Sequence, residues 1–577
     1  MKIEKIHIHN YRSIIDQSFD LNDYTLLVGA NNAGKSTVIN AIRTFYEKIK
    51  FNVKTDFPKQ GFTDQESWIE ITYSLSEEEF ANLPDNYKTE NENLVVRKLL
   101  SSKDTTRMTK DQSNLYAVVD GELETNLFFG AKNISNAKLG DVIYIPAVSS
   151  ASDSLKMSGP SPLRDTINFL FKEVVNDHPS YQELTAAFNN FNAYANQKDG
   201  VFDNIVKPFN NDIQEWGISF NLRINPISTE EITKSLISSH FNDGNINNQE
   251  FNIDQYGHGF QRAVIFNLIK LSAGFKKEKK TKKKEFNPKL TILLFEEPEA
   301  FLHPTQQDQL AYNLRVLSSV EDYQVILTSH SSLFIGKATN ELNQIINVKK
   351  MDGVSYLYQP SELELDSFFK YNVDFKVLLE GNVSEELNEE LIAQEEKFRY
   401  QLWLDSERAS MFFANHVIIT EGATEKILIE YLLDNDWADL KREKIYVLDA
   451  MGKFNIHRYI KLLSLFGIKH SVFIDSDSEK KGKGFILHQK LNRHINDCMT
   501  FYTSSEPHLF EPDLETFLGL PVPKERERKP LEILKAVTSN SIDNDKLNEF
   551  KSIILNQLYG RPFEQGTEEP IVVVENN

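Results

Sequence analysis

Glu421 and Glu425 in the run VIITEGATE at 417 to 425, and Asp475 and Asp477 in VFIDSD at 472 to 477, are four acids delivered by apolar strands. Val417 to Thr420 reads as a buried strand, and Glu421 opens the turn into a helix beginning near Ala423. Glu425 then falls one helical turn beyond Glu421. Asp475 and Asp477 stand two residues apart at a strand end and are expected on the same side of the extended chain. Acids grouped without His or Cys suit hard cations such as Mg²⁺ or Mn²⁺, and the pattern reads as a two-cation site.

Upstream lies a complete nucleotide-binding pattern. TLLV at 25 to 28 runs into Gly29, Ala30, Asn31, Asn32, Ala33, Gly34, Lys35, Ser36 and Thr37, and an apolar-periodic helix follows through Phe45. Gly29 and Gly34 let successive backbone N–H groups curl toward phosphate oxygens. Lys35 is expected to reach the β and γ phosphates of ATP, and Ser36 to ligate its Mg²⁺. The apolar strand LTILLFEE at 290 to 297 delivers two more acids to its C-terminal end, where open α/β sheets bind ligands. Glu296 is expected to hold the metal through water and Glu297 to polarise the attacking water. His330, closing QVILTSH, is placed to sense the γ-phosphate.

These motifs need several units to hold them. At 577 residues the chain exceeds one ordinary core, and three to four units are expected. No apolar run approaches the roughly 20 residues that span a bilayer, and the N-terminus lacks a signal-peptide core, so a cytoplasmic location with no membrane partner is expected. The single cysteine, Cys498, excludes an internal disulfide framework and a Cys-based zinc site. A net charge of −20 argues against a surface that coats nucleic acid. Positive charge is local: KKEKKTKKK at 276 to 284 reads as a solvated or phosphate-contacting loop, whereas Lys480, Lys481 and Lys483, and KERERK at 524 to 529, lie nearer the acids and suit a DNA backbone.

Gly257-His258-Gly259-Phe260-Gln261-Arg262 resembles a degenerate ABC signature, without the Leu-Ser-Gly-Gly-Gln wording. With the opening HIHNYRSI and its Arg12, the ordered set resembles the ABC-type ATPase heads of the RecF, Rad50 and SMC group. In such heads one subunit's signature covers the ATP held by the other, which would give Gly257, Gly259 and Gln261 a nucleotide-binding role within a homodimer or higher oligomer. The C-terminal motifs resemble the Toprim domain: Glu421-Gly422 first, IYVLDAMGK at 445 to 453 as its glycine-containing turn, then Asp475-Ser476-Asp477, and Glu511-Pro-Asp513-Leu-Glu515 beyond.

An ABC head followed by a Toprim domain is the architecture of the OLD-family nucleases (overcoming lysogenization defect), and the resemblance covers nearly the whole chain. It is similar in organisation to the Gabija and retron-associated members. The resemblance implies an α/β fold, an ABC-type P-loop ATPase head with a helical dimerisation insertion followed by a Toprim α/β domain. It implies an ATP-regulated, metal-dependent DNA endonuclease of antiphage defence, alone or beside a helicase or a retron reverse transcriptase with its RNA-DNA. Metal-site residues would be Glu421, Glu425, Asp475, Asp477, Asp513 and Glu515, and a late basic residue, Lys529 ahead of Lys535 and Lys551, would stabilise transition-state charge.

Along the chain, residues 1–150 hold the first ATPase part, 151–218 a helical insertion, 219–360 the second ATPase part, 361–413 a helical connector, and 414–577 the Toprim domain and tail. An SMC- or RecF-like maintenance clamp with structural acids is the other reading. It lacks its coiled-coil arms, because no segment sustains many heptads. A topoisomerase would need a tyrosine-bearing gate domain and a primase usually a zinc module.

Overall fold

The computed structural model describes residues 1–147 apart from 105, 110–111, 131–133 and 135–137; isolated stretches between 148 and 287; residues 288–369 apart from 338–341; and 399–400 and 404–559 apart from 524. The lysine-rich run at 276 to 284, His258 and Arg262, most of the connector pattern and the apolar tail IVVV lie outside the described residues. The chain falls into two compact units: Met1–Lys2, Leu75–Lys88 and Ala137–Ile326 form the first, and Ile3–Ser74, Thr89–Asn136 and Leu327–Asn577 the second.

In the second unit, a six-stranded sheet runs in the order β2-β1-β4-β5-β6-β7, from β1 (Lys2–Tyr11), β2 (Ile14–Asp20), β4 (Ser67–Ser74), β5 (Asn93–Ser101), β6 (Leu115–Val119) and β7 (Glu122–Leu123). Burial alternates along β4, because only one of its faces is covered. The nucleotide loop follows β3 (Tyr24–Val28), which is buried throughout, as strands covered on both faces are. β13 (Ile345–Met351) pairs with β3 in parallel and with β14 (Val354–Tyr358) antiparallel.

The first unit holds β8 (Asp141–Ile145) and β11 (Thr291–Glu296), paired in parallel, and most of β12 (Tyr323–Thr328). The short strands β9 (Phe241–Asp243) and β10 (Gln249–Phe251) form a hairpin pair. Of the expected insertion, YQELTAAFNNF lies in the helix Pro179–Asn196, and a second helix spans Val201–Asp212. INFLFKEVV lies almost entirely outside the described residues.

The second unit also carries a four-stranded parallel sheet in the order β16-β15-β17-β18, from β15 (His416–Thr420), β16 (Ile445–Asp449), β17 (His470–Asp475) and β18 (His508–Phe510). Its core joins Ile418, Leu428, Leu432, Phe473 and Phe510 to Ile533, Val537 and Phe550. Through those last three, the helices Lys529–Thr538 and Asn544–Tyr559 are fixed against the sheet and against the helix Ala423–Asn435. This packing decides where the late lysine stands.

Candidate functional site

All four strands of the parallel sheet point their C-terminal ends the same way, so the residues that follow them share one rim. β15 delivers Glu421, β16 ends on Asp449, β17 ends on Asp475, and β18 leads through Glu511 to Asp513 and Glu515. Glu425 is buried in the first turn of its helix, where Oε2 accepts a hydrogen bond from the Gly422 N–H at 3.0 Å. Asp475 Oδ1 accepts from the Leu514 N–H at 3.0 Å, which ties β17 to the start of the helix that carries Glu515.

Burial, then the neighbouring charges of Asp475 and Glu421, push Glu425 up to about 8. Burial, then Glu421 and Glu515, push Asp475 up to about 7. Glu421 is raised by burial, and the Lys453 charge only partly counters this. Glu421 Oε2 is buried without a hydrogen-bond partner, with the Lys453 ammonium 3.5 Å away. A cluster of carboxylates whose burial is only partly offset by Lys453 and Lys529, with an orphaned oxygen and only oxygen donors, fits a hard divalent cation. Among the described residues no three His, Cys, Asp or Glu side chains already stand in metal-binding geometry, so the number of ions is not set by the protein alone.

Lys529 stands at this rim, its Nζ 2.9 Å from Glu515 Oε1. Burial alone would lower its pKa, but the hydrogen bond and charge of Glu515, with Asp475 and Asp513 beyond, outweigh burial and hold it above the usual lysine value. Lys535 pairs with Glu532 and Lys551 with Asp439, so neither alternative lysine joins the cluster.

Two expectations change. β17 ends at Asp475, and the backbone of Asp477 turns to φ +57°, so the strand alternation expected to bring both aspartates to one side does not extend that far. Asp477 is instead enclosed by two ammonium groups and an imidazole: Lys453 Nζ at 2.5 Å, Lys480 Nζ at 2.6 Å and His488 Nδ1 at 2.7 Å. Burial would raise its pKa, yet hydrogen bonds from Lys453 and Lys480 and the charges around it hold it below the usual carboxylate value. Lys480 is therefore engaged by Asp477, whereas Lys481 and Lys483 are exposed. Asp513 commits Oδ1 to the Thr516 N–H at 2.9 Å as a helix cap.

Sequence reasoning missed Lys453 and His488. Lys453 is 2% exposed and donates to the Asp475 carbonyl at 2.7 Å as well as to Asp477. The available signal was a lysine directly after Gly452 at the end of an apolar strand. His488 reaches Asp477 only because the helix Lys483–Thr503 folds back, and no spacing announces that.

In the nucleotide loop, Gly29 and Gly34 have φ of +131° and +121°. A Cβ at Gly29 would collide with the Val348 carbonyl and one at Gly34 with Ser355, so both positions require glycine. Ser355 Oγ donates to the Ala33 carbonyl at 2.6 Å and bonds Ser13 Oγ at 2.8 Å, so β14 braces the loop. Lys35 is buried, and its Nζ donates to the Gly29 and Ala30 carbonyls at 2.9 and 3.0 Å. Asn31, Asn32 and Ser36 are exposed, and Thr37 lies 3.5 Å from Ser13. Beside the loop a cavity of about 610 Å³ is lined by Arg12, Asn32, Thr37, Phe57, Gln60 and Lys350. Arg12 is held in it by Asp56 at 2.9 Å. Burial, helped by the Lys35 charge, lowers His330 to about 4, so it is neutral and able to accept or donate one hydrogen bond.

In the first unit, Glu296 ends the fully buried β11, with Oε2 accepting from Tyr144 Oη at 2.9 Å and Oε1 buried without a hydrogen bond. Glu297 turns out of the strand at φ +45°. Gly259 approaches the Phe301 carbonyl so closely that a Cβ would stand 2.9 Å from it. Gln261 is 4% exposed and donates to the Tyr256 carbonyl at 2.6 Å.

A glycine-bearing phosphate loop, buried acidic strand and acidic parallel sheet define a P-loop ATPase joined to a Toprim domain. The family described as AAA ATPase domain matches residues 1–335, and the one described as overcoming lysogenization defect protein-like TOPRIM domain matches residues 412–477. The chain belongs to the AAA ATPase domain family and, through its second domain, to the OLD-type proteins. It is 23% identical over 495 residues to the Old nuclease of Escherichia phage P2, covering 83% of this chain and 77% of that protein. It is 24% identical over 518 residues to the endonuclease GajA of Bacillus cereus strain VD045, covering 86% and 79%. An OLD nuclease of Thermus scotoductus is 22% identical over 301 residues, 49% of each chain.

Proposed function

We propose that this protein is an ATP-regulated, divalent-metal-dependent DNA endonuclease. The observation that carries the reading is the under-compensated carboxylate cluster at one rim of a parallel sheet, of buried Glu425 and Glu515 and half-buried Glu421 and Asp475, with Lys529 beside it. The homologies to named nucleases over most of the chain support it.

These carboxylates, joined by the free oxygen of Asp513, hold Mg²⁺ or Mn²⁺. A bound pair of such ions supplies activation of the attacking water and stabilisation of the leaving 3′ oxygen. Lys529 places a permanent positive charge next to Glu515, where it offsets the charge that the phosphodiester gains in the transition state. Lys453, Lys480 and His488 fix Asp477 and through it the turn after β17, which aims Asp475. Asp477 thus acts as the anchor of this basic trio as well as a ligand candidate. Lys481, Lys483 and Arg528, all exposed, meet the DNA backbone.

ATP binds the loop through Lys35 and Ser36, with Glu296, Glu297 and His330 serving hydrolysis, and its occupancy governs cleavage. Gly257 and Gly259 act across a homodimer in which the helices Pro179–Asn196 and Val201–Asp212 take part. The biological role is antiphage defence, in the cytoplasm.

Incubation of supercoiled and linear DNA with the purified protein, Mg²⁺ or Mn²⁺, and with or without ATP, tests the reading. Cutting that is lost in the Asp475→Ala, Asp477→Ala double variant is the expected result. Equal cutting by that variant overturns the site assignment, and ATP hydrolysis with no cutting under any condition favours the clamp.

A further inference from the structure

The turn after β16 and the start of the helix Lys483–Thr503 keep apolar side chains in water beside the acidic rim. Met451 and Phe454 are 45% and 40% exposed, and Phe485 and Ile486 are 37% and 58% exposed. One such residue needs no explanation, but four gathered at one place do. Lys453, next to Phe454 in the chain, and His488 both contact the same oxygen, Asp477 Oδ2, at 2.5 and 2.7 Å. Phe485 lies one helical turn before His488 and shares its face. The helices Ile456–Leu465 and Lys483–Thr503 follow β16 and β17 and pack together, with the rings of His457 and His494 5.3 Å apart. The two apolar pairs therefore stand at the rim on neighbouring elements tied to one carboxylate.

The turn is braced to hold its pair. Met451 takes φ +56°, a left-handed conformation that a side chain of this size adopts at a cost. Its N–H donates to Asp449 Oδ1 at 2.7 Å, and Asn455 Nδ2 donates to the Ala450 and Met451 carbonyls at 3.0 and 3.2 Å. The Phe454 carbonyl accepts from Arg458 Nη1 at 2.9 Å. Neither Phe454 nor Phe485 has an aromatic partner among the described residues. Charge identifies the occupant. Between Ser478 and Lys490 the exposed charges are Lys481, Lys483 and Lys490 against Glu479, with Lys480 already engaged by Asp477. In a chain of net charge −20, this local positive excess suits a polyanion better than a second copy of the chain. A polyanion that also offers flat apolar faces is nucleic acid with unstacked bases.

We propose that Phe454 and Phe485, with Met451 and Ile486 beside them, receive unstacked bases next to the scissile phosphate, so that the protein selects DNA with unpaired bases where it cuts. The inference rests on the nuclease reading and names its substrate class. Paired duplex must give up base stacking before it can occupy these side chains, whereas a single strand or a bubble has already done so.

Anisotropy titration of the full chain, with Ca²⁺ on the carboxylates in place of Mg²⁺, tests this on three labelled DNAs of one sequence: a short duplex, the same duplex with a central bubble, and the single strand. The bubble and the single strand are expected to bind at least tenfold more tightly than the duplex. Phe454→Ala with Phe485→Ala is expected to cut that preference at least fivefold, whereas Phe454→Tyr with Phe485→Tyr, which keeps both rings, retains it. Urea midpoints check that both variants are folded. Equal affinity for the three DNAs, or a preference untouched by the alanine variant, overturns the proposal. Loss of self-association in that variant, with the DNA preference intact, also overturns it and assigns the surface to a second copy. Cutting in Mg²⁺ is read separately. A ring-dependent preference without cutting removes the nuclease and keeps the base contacts, and cutting without that preference does the reverse.

Discussion

Lys453 is 2% exposed, and its ammonium is surrounded by the Asp475 carbonyl, Asp477 and Glu421. Lys453→Met leaves two carboxylates without their buried partner, so the substitution is expected to destabilise the protein by about 3 kcal/mol, measured by urea unfolding in chelator. A change below about 1 kcal/mol would mean that Lys480 and His488 hold Asp477 unaided. The raised carboxylates make a second prediction. Metal-free, Glu425 and Asp475 keep their protons to about pH 8 and 7, while the unfolded chain releases both near pH 4. Across that interval the folded state binds more protons, so their contribution is full below about pH 4 and is lost as pH rises through 7 and 8. The buried histidines, lowered to about 3 and 4 at His416 and His470, work in the opposite direction but finish by about pH 6.5. Metal-free stability should therefore fall from pH 6.5 to 8, by up to about 1.4 kcal/mol per pH unit for each group. Glu425→Gln should flatten that slope and Mn²⁺ should reverse it, both read from urea midpoints.

At the scale of elements, β13 pairs with β3, the strand that leads into the nucleotide loop. Its Asn347 is buried and donates Nδ2–H to the Phe466 carbonyl at 2.8 Å, at the end of the helix Ile456–Leu465. Asn347→Ala leaves that carbonyl unpaired and is expected to cost about 1 to 3 kcal/mol in thermal or urea unfolding. Elements with a strong local signature were legible: the buried runs of β3, β11 and β15 and the helix after Gly422 follow from unbroken apolar stretches and a glycine start. Lys529 could be nominated from its resemblance alone, but its position depends on Ile533 and Val537 packing in the same core as Leu428 and Phe473. The turn after Asp475 was misread because alternation holds only while the strand lasts, and a residue at φ +57° breaks it.

At the scale of the molecule, nucleotide and acidic sites are separate chemistries on one chain and should come apart by mutation. Lys35→Ala is expected to reduce ATP binding at least a hundredfold, measured with a fluorescent analogue, and to abolish phage protection in a plaque assay. The Asp475→Ala, Asp477→Ala variant should bind ATP as before. Undiminished phage protection by Lys35→Ala would remove ATP control from the proposed function.

The sequence by itself determined the loop, the acidic strand and the order of the acidic motifs, because each is a short stretch whose backbone and spacing dictate its own local chemistry. Only the tertiary structure decided which acids share a charge cluster and that Asp477 is enclosed by Lys453, Lys480 and His488. Those relations are set by how apolar faces of helices and strands pack together and are invisible to any local spacing rule.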